Sequence, residues 1–195
     1  HAVDFIRRKS GEIQPVMANV AALLRHHYLS WGLGYDEFSN RIYTAAEPLE
    51  DKHLLELTEW VQRQGILCGL DVVAGAVQRV ARERSFHQVR DWLECLEWDG
   101  EERINNLLMR YAAAEETILV RAQSCKYMIQ AVARIYEPGC QADATLVFEG
   151  DQGLGKSSFF RILFGDQWFT DHLPSLDNKD AMIQLRGVWC VEIAE

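Results

Sequence analysis

Apolar residues recur at helical spacing through most of the first 140 residues of the chain. One run extends from Val16 to Leu29, a second covers residues 50–64, and a third follows Asp71, which we expect to cap it. Apolar residues three and four positions apart share one face of a helix, so these runs predict amphipathic helices. Another stripe is the most regular, and its members step by four and three positions: Ile118, Ala122, Cys125, Ile129, Val132 and Tyr136. We expect this stripe to pack against the rest of the protein.

Shorter elements fill the intervals between these helices. Residues 34–49 hold two short pieces with Tyr, Phe and Ile on either side of a Ser-Asn turn, which predicts a small β-hairpin. Short helices are predicted within residues 86–98 and around Leu107. We therefore expect residues 1–140 to form a mainly α-helical domain with a small β-hairpin.

The pattern changes after residue 140, where apolar strand-like runs alternate with helical ones. The predicted order is a strand at 145–150, a helix at 157–164, a strand at 168–171, a helix at 178–187 and a strand at 188–193. This alternation is typical of an α/β nucleotide-binding sheet with helices packed on it. Residues 141–195 are therefore predicted to be the N-terminal part of a P-loop NTPase domain.

A glycine-rich loop follows the first of these predicted strands. Gly150, Gly155, Lys156 and Ser157 fit the phosphate-loop pattern G-x-x-x-x-G-K-[ST]. Glycines let several backbone N–H groups point at phosphate oxygens, and the positive end of the following helix adds to the attraction. Lys156 is expected to contact the β- and γ-phosphates of ATP, and the Ser157 hydroxyl to ligate Mg²⁺. The predicted nucleotide-binding residues are Gly150, Asp151, Gln152, Gly153, Leu154, Gly155, Lys156, Ser157 and Ser158.

Hydrolysis also needs an acid at the end of a neighbouring strand, to hold Mg²⁺ and to polarise the attacking water. Glu192 and Glu195 end the last predicted strand. We predict Lys156, Glu192 and Glu195 as the catalytic residues, with Ser157 and Glu192 as the Mg²⁺ ligands. The alternative is that both glutamates are surface carboxylates at a strand end.

Composition limits the remaining possibilities. The formal net charge of −9 argues against a strongly basic nucleic-acid-binding domain, although a ring-shaped motor can line a narrow channel with Lys and Arg. The sequence has no run of eighteen apolar residues and no charged-then-apolar start, so we expect a cytoplasmic protein without a membrane partner. Its five cysteines are spread without a CxxC pair and are expected to be reduced thiols.

Three stretches of the chain, residues 91–104, 131–171 and 179–195, resemble the virulence-associated protein E family, and the resemblance extends from about residue 16. The motifs that carry it are a Trp-Asp-Gly followed by Arg, an Ala-Val-Ala-Arg helix before Pro-Gly, and a Trp-x-x-Glu-x-x-Glu strand. They comprise Trp98, Asp99, Gly100, Arg103, Ala131 to Arg134, Pro138, Gly139, Trp189, Glu192 and Glu195. One departure is Gln88, where relatives usually have proline; we expect only a local change in helix entry.

The resemblance implies a P-loop ATPase of phages, prophages or pathogenicity islands, with a core of the AAA+ or superfamily 3 helicase type. Such proteins are hexameric rings, often joined to a primase domain, so single-stranded or forked DNA and a homo-oligomeric ring are the implied partners. The resemblance also accounts for a glutamate at position 192. Family members continue past this strand with further strands, a sensor and an arginine that completes the ring.

The P-loop core is therefore expected to be incomplete at its C-terminus. As a fragment, the chain is predicted to bind nucleotide weakly without hydrolysing ATP above background. Two alternatives stay open. One is a non-catalytic module that binds nucleotide to hold its shape, and the other is a small P-loop kinase, although such kinases usually carry the loop near their N-terminus.

Overall fold

A computed structural model describes residues 3–27, 31–45, 47–173 and 181–193, which form a mixed α/β structure. The chain divides between Gln88 and Val89 into two compact units. The predicted domain boundary after residue 140 stays a prediction; within the second unit, Trp189 Nε1 donates a hydrogen bond of 3.0 Å to the Ala131 carbonyl. Within the described ranges, no helix combines the length and apolar character that a membrane span needs.

Three amphipathic helices of ten or more residues lie in the described part of the first unit. They are α1 (Met17–His26), α2 (Asp51–Arg63) and α3 (Leu70–Arg82). The helices correspond to the three predicted runs, although the last two residues of the first run lie outside the described residues. The prediction that Asp71 caps α3 is wrong: Gly69 is the N-cap, and Asp71 lies in the first turn, where its charge complements the helix dipole.

The core of the first unit lies where α1 and α2 pack against α3. Its fully buried side chains include one or more from each helix: Val20, Leu57, Val61, Val73, Ala76 and Val77. These positions recur three and four residues apart on α2 and α3, as expected for helices that bury a single face.

A small sheet completes the first unit. Its strands are β1 (Gly34–Asp36), β2 (Arg41–Thr44), β3 (Glu47–Pro48) and β4 (Ser85–Phe86), in the order β3-β2-β1-β4. The hairpin of β1 and β2 is antiparallel, as predicted, and β4 joins β1 in parallel. The buried Asp36 carboxylate accepts hydrogen bonds from the backbone N–H groups of Phe38, Ser39 and Gln88. These bonds connect the turn between β1 and β2 to the residues that follow β4.

The second unit contains most of the remaining elements. The described ones in this part of the chain are α4 (Gln88–Glu94), a 3-10 turn (Ile104–Asn106), α5 (Leu107–Ala112), α6 (Ile118–Tyr136), α7 (Lys156–Phe164), a second 3-10 turn (Asp166–Trp168), β5 (Phe169–Thr170), α8 (Ala181–Gln184) and β6 (Cys190–Val191). Residues 178–180 of the last predicted helix lie outside the described residues.

Helix α6 buries a different face from the one predicted. Ile118 is 90% exposed and Ile129 is 59% exposed, so the regular apolar stripe largely faces solvent. The buried positions of α6 are instead Ser124 and Ile135. Ser124 Oγ accepts a hydrogen bond from the Leu108 N–H, so the inward face of α6 includes a polar contact as well as apolar packing.

The predicted three-stranded sheet is only partly present. β5 and β6 pair in parallel, with Phe169 opposite Cys190, and they correspond to the second and third predicted strands. The prediction of a strand at residues 145–150 is wrong, since this segment has no regular secondary structure. Its apolar character is used in packing onto α7, where the ring centroids of Phe148 and Phe160 are 4.8 Å apart. A strand also needs a backbone partner, and the described strands supply none to this segment.

Candidate functional site

The glycine-rich loop leads directly into α7, whose first residue is Lys156. Gly153 and Gly155 adopt φ angles of +85° and +80°, which side chains with a Cβ rarely adopt. The left-handed Gly155 is the N-cap, and its carbonyl accepts the first helical hydrogen bond, 2.9 Å from the Phe159 nitrogen. The early N–H groups of a helix have no partner within it, so α7 opens on a surface that favours an anion.

Lys156 reaches back across this loop. Its Nζ atom donates to the carbonyl oxygens of Gly150 and Asp151 at 2.5 and 3.0 Å. Both acceptors are loop carbonyls without a formal charge, so a phosphate oxygen would compete with them for the ammonium group. The cation is therefore held beside the loop by contacts that a bound anion can replace.

Ser157 and Glu192 come together although 35 residues separate them. Ser157 Oγ donates a hydrogen bond of 2.6 Å to Glu192 Oε1. Glu192 directly follows β6, and its backbone N–H donates to the Thr170 carbonyl at 2.8 Å. The parallel pairing of β5 and β6 thus places the carboxylate at the start of α7.

The second carboxylate oxygen of Glu192 is the chemically unusual atom of the site. Oε2 is shielded from solvent and has no hydrogen-bond partner among the described residues. A buried anionic oxygen without a partner is costly unless a cation or donor joins it. A hydroxyl and a carboxylate are oxygen ligands of the kind that Mg²⁺ prefers. The residues present therefore fit a Mg²⁺ ion.

That ion would depend on further ligands. The described part of the chain has no group of three or more His, Cys, Asp and Glu side chains suited to a metal. Mg²⁺ is usually held by one or two side chains together with water and substrate phosphates. Ser157 and Glu192 could hold the metal only in partnership with a phosphate-bearing ligand.

An aromatic cluster supports the end of β6. The Trp189 ring lies 5.0 Å from Phe164 and 6.1 Å from both Trp168 and Trp92, measured between ring centroids. Such edge contacts add directional packing to the burial of the rings. Because Phe164 belongs to α7 and Trp189 directly precedes β6, the cluster links the helix and the strand that carry Ser157 and Glu192.

Tyr127 of α6 adds a second support. Its ring contacts Phe160 and Phe164 of α7, with centroids 6.2 and 6.0 Å apart. Burial, together with the nearby Cys190 thiol, raises the pKa of Tyr127 well above its ordinary value. Burial also raises the pKa of Cys190. Both groups are therefore neutral near pH 7.

The other predicted residues have less distinctive surroundings. Those of the loop from Asp151 to Gly155 are exposed, as is Ser158 on α7. Glu195 lies outside the described residues, so its catalytic role stays a prediction.

Sequence reasoning missed a cleft that borders the loop. The cleft has a volume of about 730 Å³ and lies between the segment 145–149, the end of α5 with the turn Ala112–Ala114, and the start of α7. Three consecutive alanines are the signal that could have indicated it, because small side chains leave room beside a backbone turn.

The fold and the site thus define a mixed α/β protein whose glycine-rich loop meets a carboxylate from a parallel strand. The family model of the Virulence-associated protein E-like domain matches residues 93–195, more than half of the chain. The chain belongs to this family, which confirms the resemblance seen in its motifs. No curated protein matches the chain in sequence.

Proposed function

We propose that the chain binds ATP with Mg²⁺ and is part of a P-loop ATPase, a helicase or replication protein of a phage, prophage or pathogenicity island. The 2.6 Å contact between Ser157 and Glu192 carries the proposal. Two residues that sequence motifs single out independently lie side by side at the start of α7. A Mg²⁺ site requires two such oxygen ligands to lie close together.

The chain's own residues would divide the work at this site. Lys156 would leave the carbonyl groups of Gly150 and Asp151 and donate to phosphate oxygens. The first N–H groups of α7 would bind the same phosphates. Ser157 and Glu192 would hold Mg²⁺, which supplies charge neutralisation at the phosphates when it is bound. Glu192 could also orient a water molecule for attack on the γ-phosphate.

A non-catalytic nucleotide-binding module is the second candidate. The observation that favours it is the absence of a strand at residues 145–150, which leaves a sheet of only two strands beside the loop in the described residues. Such a module would bind the same ligand without turnover. The first candidate alone includes single-stranded or forked DNA as a partner. It also includes assembly into a homo-oligomeric ring of the AAA+ or superfamily 3 helicase type.

Substitution of Lys156 tests nucleotide binding. We expect Lys156→Ala to weaken the binding of Mg-ATP at least tenfold, about 1.4 kcal/mol, because a charge-assisted contact to phosphate is lost. Isothermal titration calorimetry measures this effect, with Lys126→Ala on the exposed part of α6 as the matched control. Unchanged affinity in Lys156→Ala would refute the site assignment.

Phosphate release separates the two candidates. We expect the protein to release phosphate from ATP faster when single-stranded DNA is added. Nucleotide binding without any turnover, with or without DNA, would favour the non-catalytic module instead.

A further inference from the structure

We propose that the cleft beside the glycine-rich loop holds the nucleoside part of the nucleotide, with Tyr111 as the stacking surface for its base. This inference rests on the proposed nucleotide binding at Lys156. It goes beyond that proposal because it assigns the binding of the base to residues that no loop motif includes.

The position of the cleft makes it accessible to a ligand bound at the loop. Its lining includes Leu154, Gly155 and Lys156, so the cleft begins where the phosphates would lie. From there it extends to the end of α5, between the turn Ala112–Ala114 and the segment 145–149. A volume of about 730 Å³ is within the range of small-molecule sites, roughly 300 to 1,000 Å³.

The lining has the mixed chemistry that a nucleoside requires. Leu108, Val120 and Phe159 supply apolar surface, and Gln123 adds an amide. An amide both donates and accepts hydrogen bonds, as the edge of a nucleobase does. Mostly apolar walls with a few polar groups are typical of small-molecule sites. The cleft therefore suits a planar base better than it suits a second anion.

Tyr111 provides a flat surface within this lining. The residue is 51% exposed, and the Arg110 guanidinium lies over its ring, 5.5 Å from the centroid. An exposed aromatic ring in a cleft can stack on any nucleobase, because every base has a π face. Arg110, which also lines the cleft, covers one face of this ring and adds positive charge to the lining.

The turn after α5 keeps this wall of the cleft open. Ala113 adopts a φ of +52°, and the N–H groups of Ala113 and Ala114 both donate to the Leu108 carbonyl. A left-handed conformation is unfavourable for alanine and is retained only where the surroundings require it. Here it folds the chain back after Tyr111, so that the wall is formed by small side chains.

The test compares two ligands that share phosphates but differ in the nucleoside. Calorimetric titration of the whole chain with Mg-ATP and with Mg-tripolyphosphate separates the cleft from the loop. We expect Tyr111→Ala to weaken ATP binding by about fivefold to a hundredfold, the usual effect of losing a stacked base. Tripolyphosphate affinity should stay unchanged, and Tyr111→Phe should retain the wild-type affinity for ATP.

Tyr136→Ala is the matched control. Tyr136 is 44% exposed and also lies under an arginine, with the Arg90 guanidinium 5.8 Å from its ring centroid, but it is not part of the cleft lining. We expect this variant to bind both ligands as the wild type does.

Three results would overturn the inference while nucleotide binding at the loop stands. They are equal wild-type affinity for ATP and tripolyphosphate, unchanged ATP affinity in Tyr111→Ala, and an equal loss for both ligands in that variant. If the wild type binds neither ligand, the proposed function fails and the inference fails with it.

Discussion

The two units bury their apolar residues to different extents. In the first unit, Leu57 of α2 and Val77 of α3 are completely buried, as expected of a closed core. In the second unit, Ile118, Ile162 and Trp98 are 90%, 83% and 77% exposed. The buried side chains of the second unit include Phe164 of α7, the helix that carries Ser157, and Cys190 of β6, the strand that Glu192 directly follows. The first unit is thus organised by its core, and the second by its candidate site.

This difference predicts where single substitutions cost most stability. We expect Leu57→Ala to lower the free energy of unfolding by about 2 to 5 kcal/mol, because it leaves a cavity in a closed core. Urea denaturation followed by circular dichroism measures the loss. Leu55→Ala, on the same helix but 60% exposed, should change it by less than about 0.5 kcal/mol. Similar losses in both variants would contradict the assignment of the core.

In the second unit, we expect the unpaired carboxylate of the candidate site to lower the free energy of unfolding when no ligand is bound. Glu192→Gln replaces a carboxylate whose Oε2 atom is shielded from solvent and has no hydrogen-bond partner among the described residues. We expect it to raise the free energy of unfolding by about 1 kcal/mol without Mg²⁺, since functional sites often retain such unfavourable groups. The same variant should abolish the effect of Mg²⁺ on ATP affinity.

The measurements are urea denaturation and titration with ATP, each with and without Mg²⁺. Glu137→Gln at the exposed end of α6 is the control and should alter neither quantity. A loss of stability in Glu192→Gln would contradict the expected cost of the unpaired carboxylate oxygen, and an unchanged effect of Mg²⁺ on ATP affinity would contradict its role in binding.

Local patterns predicted the first unit better than the second. The helices around Leu57 and Val77 follow from apolar spacing alone, because each buries one face in a shared core. The loop at Lys156 follows from its glycines, and the placement of Ser157 beside Glu192 agrees with the expected Mg²⁺ site. The roles of these residues stay predictions.

The missed features depend on contacts between distant segments. Ser124 of α6 is buried and accepts a hydrogen bond from the Leu108 N–H. Rules based on the spacing of apolar residues do not include such a contact. The segment 145–150 has the composition of a strand, but strand formation depends on a neighbouring strand rather than on composition. The cleft at Tyr111 likewise arises from four separate segments, since Val120 and Gln123 of α6 also line it.

The smallest expected effect concerns an ion pair on the surface of the first unit. Arg25 of α1 donates two hydrogen bonds to Glu83, of 2.8 and 2.7 Å, and this contact holds the pKa of Glu83 below its usual value of 4.5. The two side chains are 45% and 33% exposed, so solvent screens the pair, and Arg25→Gln should cost at most about 1 kcal/mol at pH 7.

The pH dependence of this cost follows from the direction of the shift. Because the folded state lowers the pKa of Glu83, its stabilisation is complete above the unfolded pKa and is lost as the pH falls through the folded one. Wild type and Arg25→Gln should therefore differ in free energy of unfolding at pH 7 and converge below pH 4.5. Urea denaturation across this range measures the difference. A difference in free energy of unfolding that stays constant in acid would mean that the Arg25 side chain stabilises the unit by packing and not by its charge. Packing in the first unit would then include this surface residue as well as the buried core.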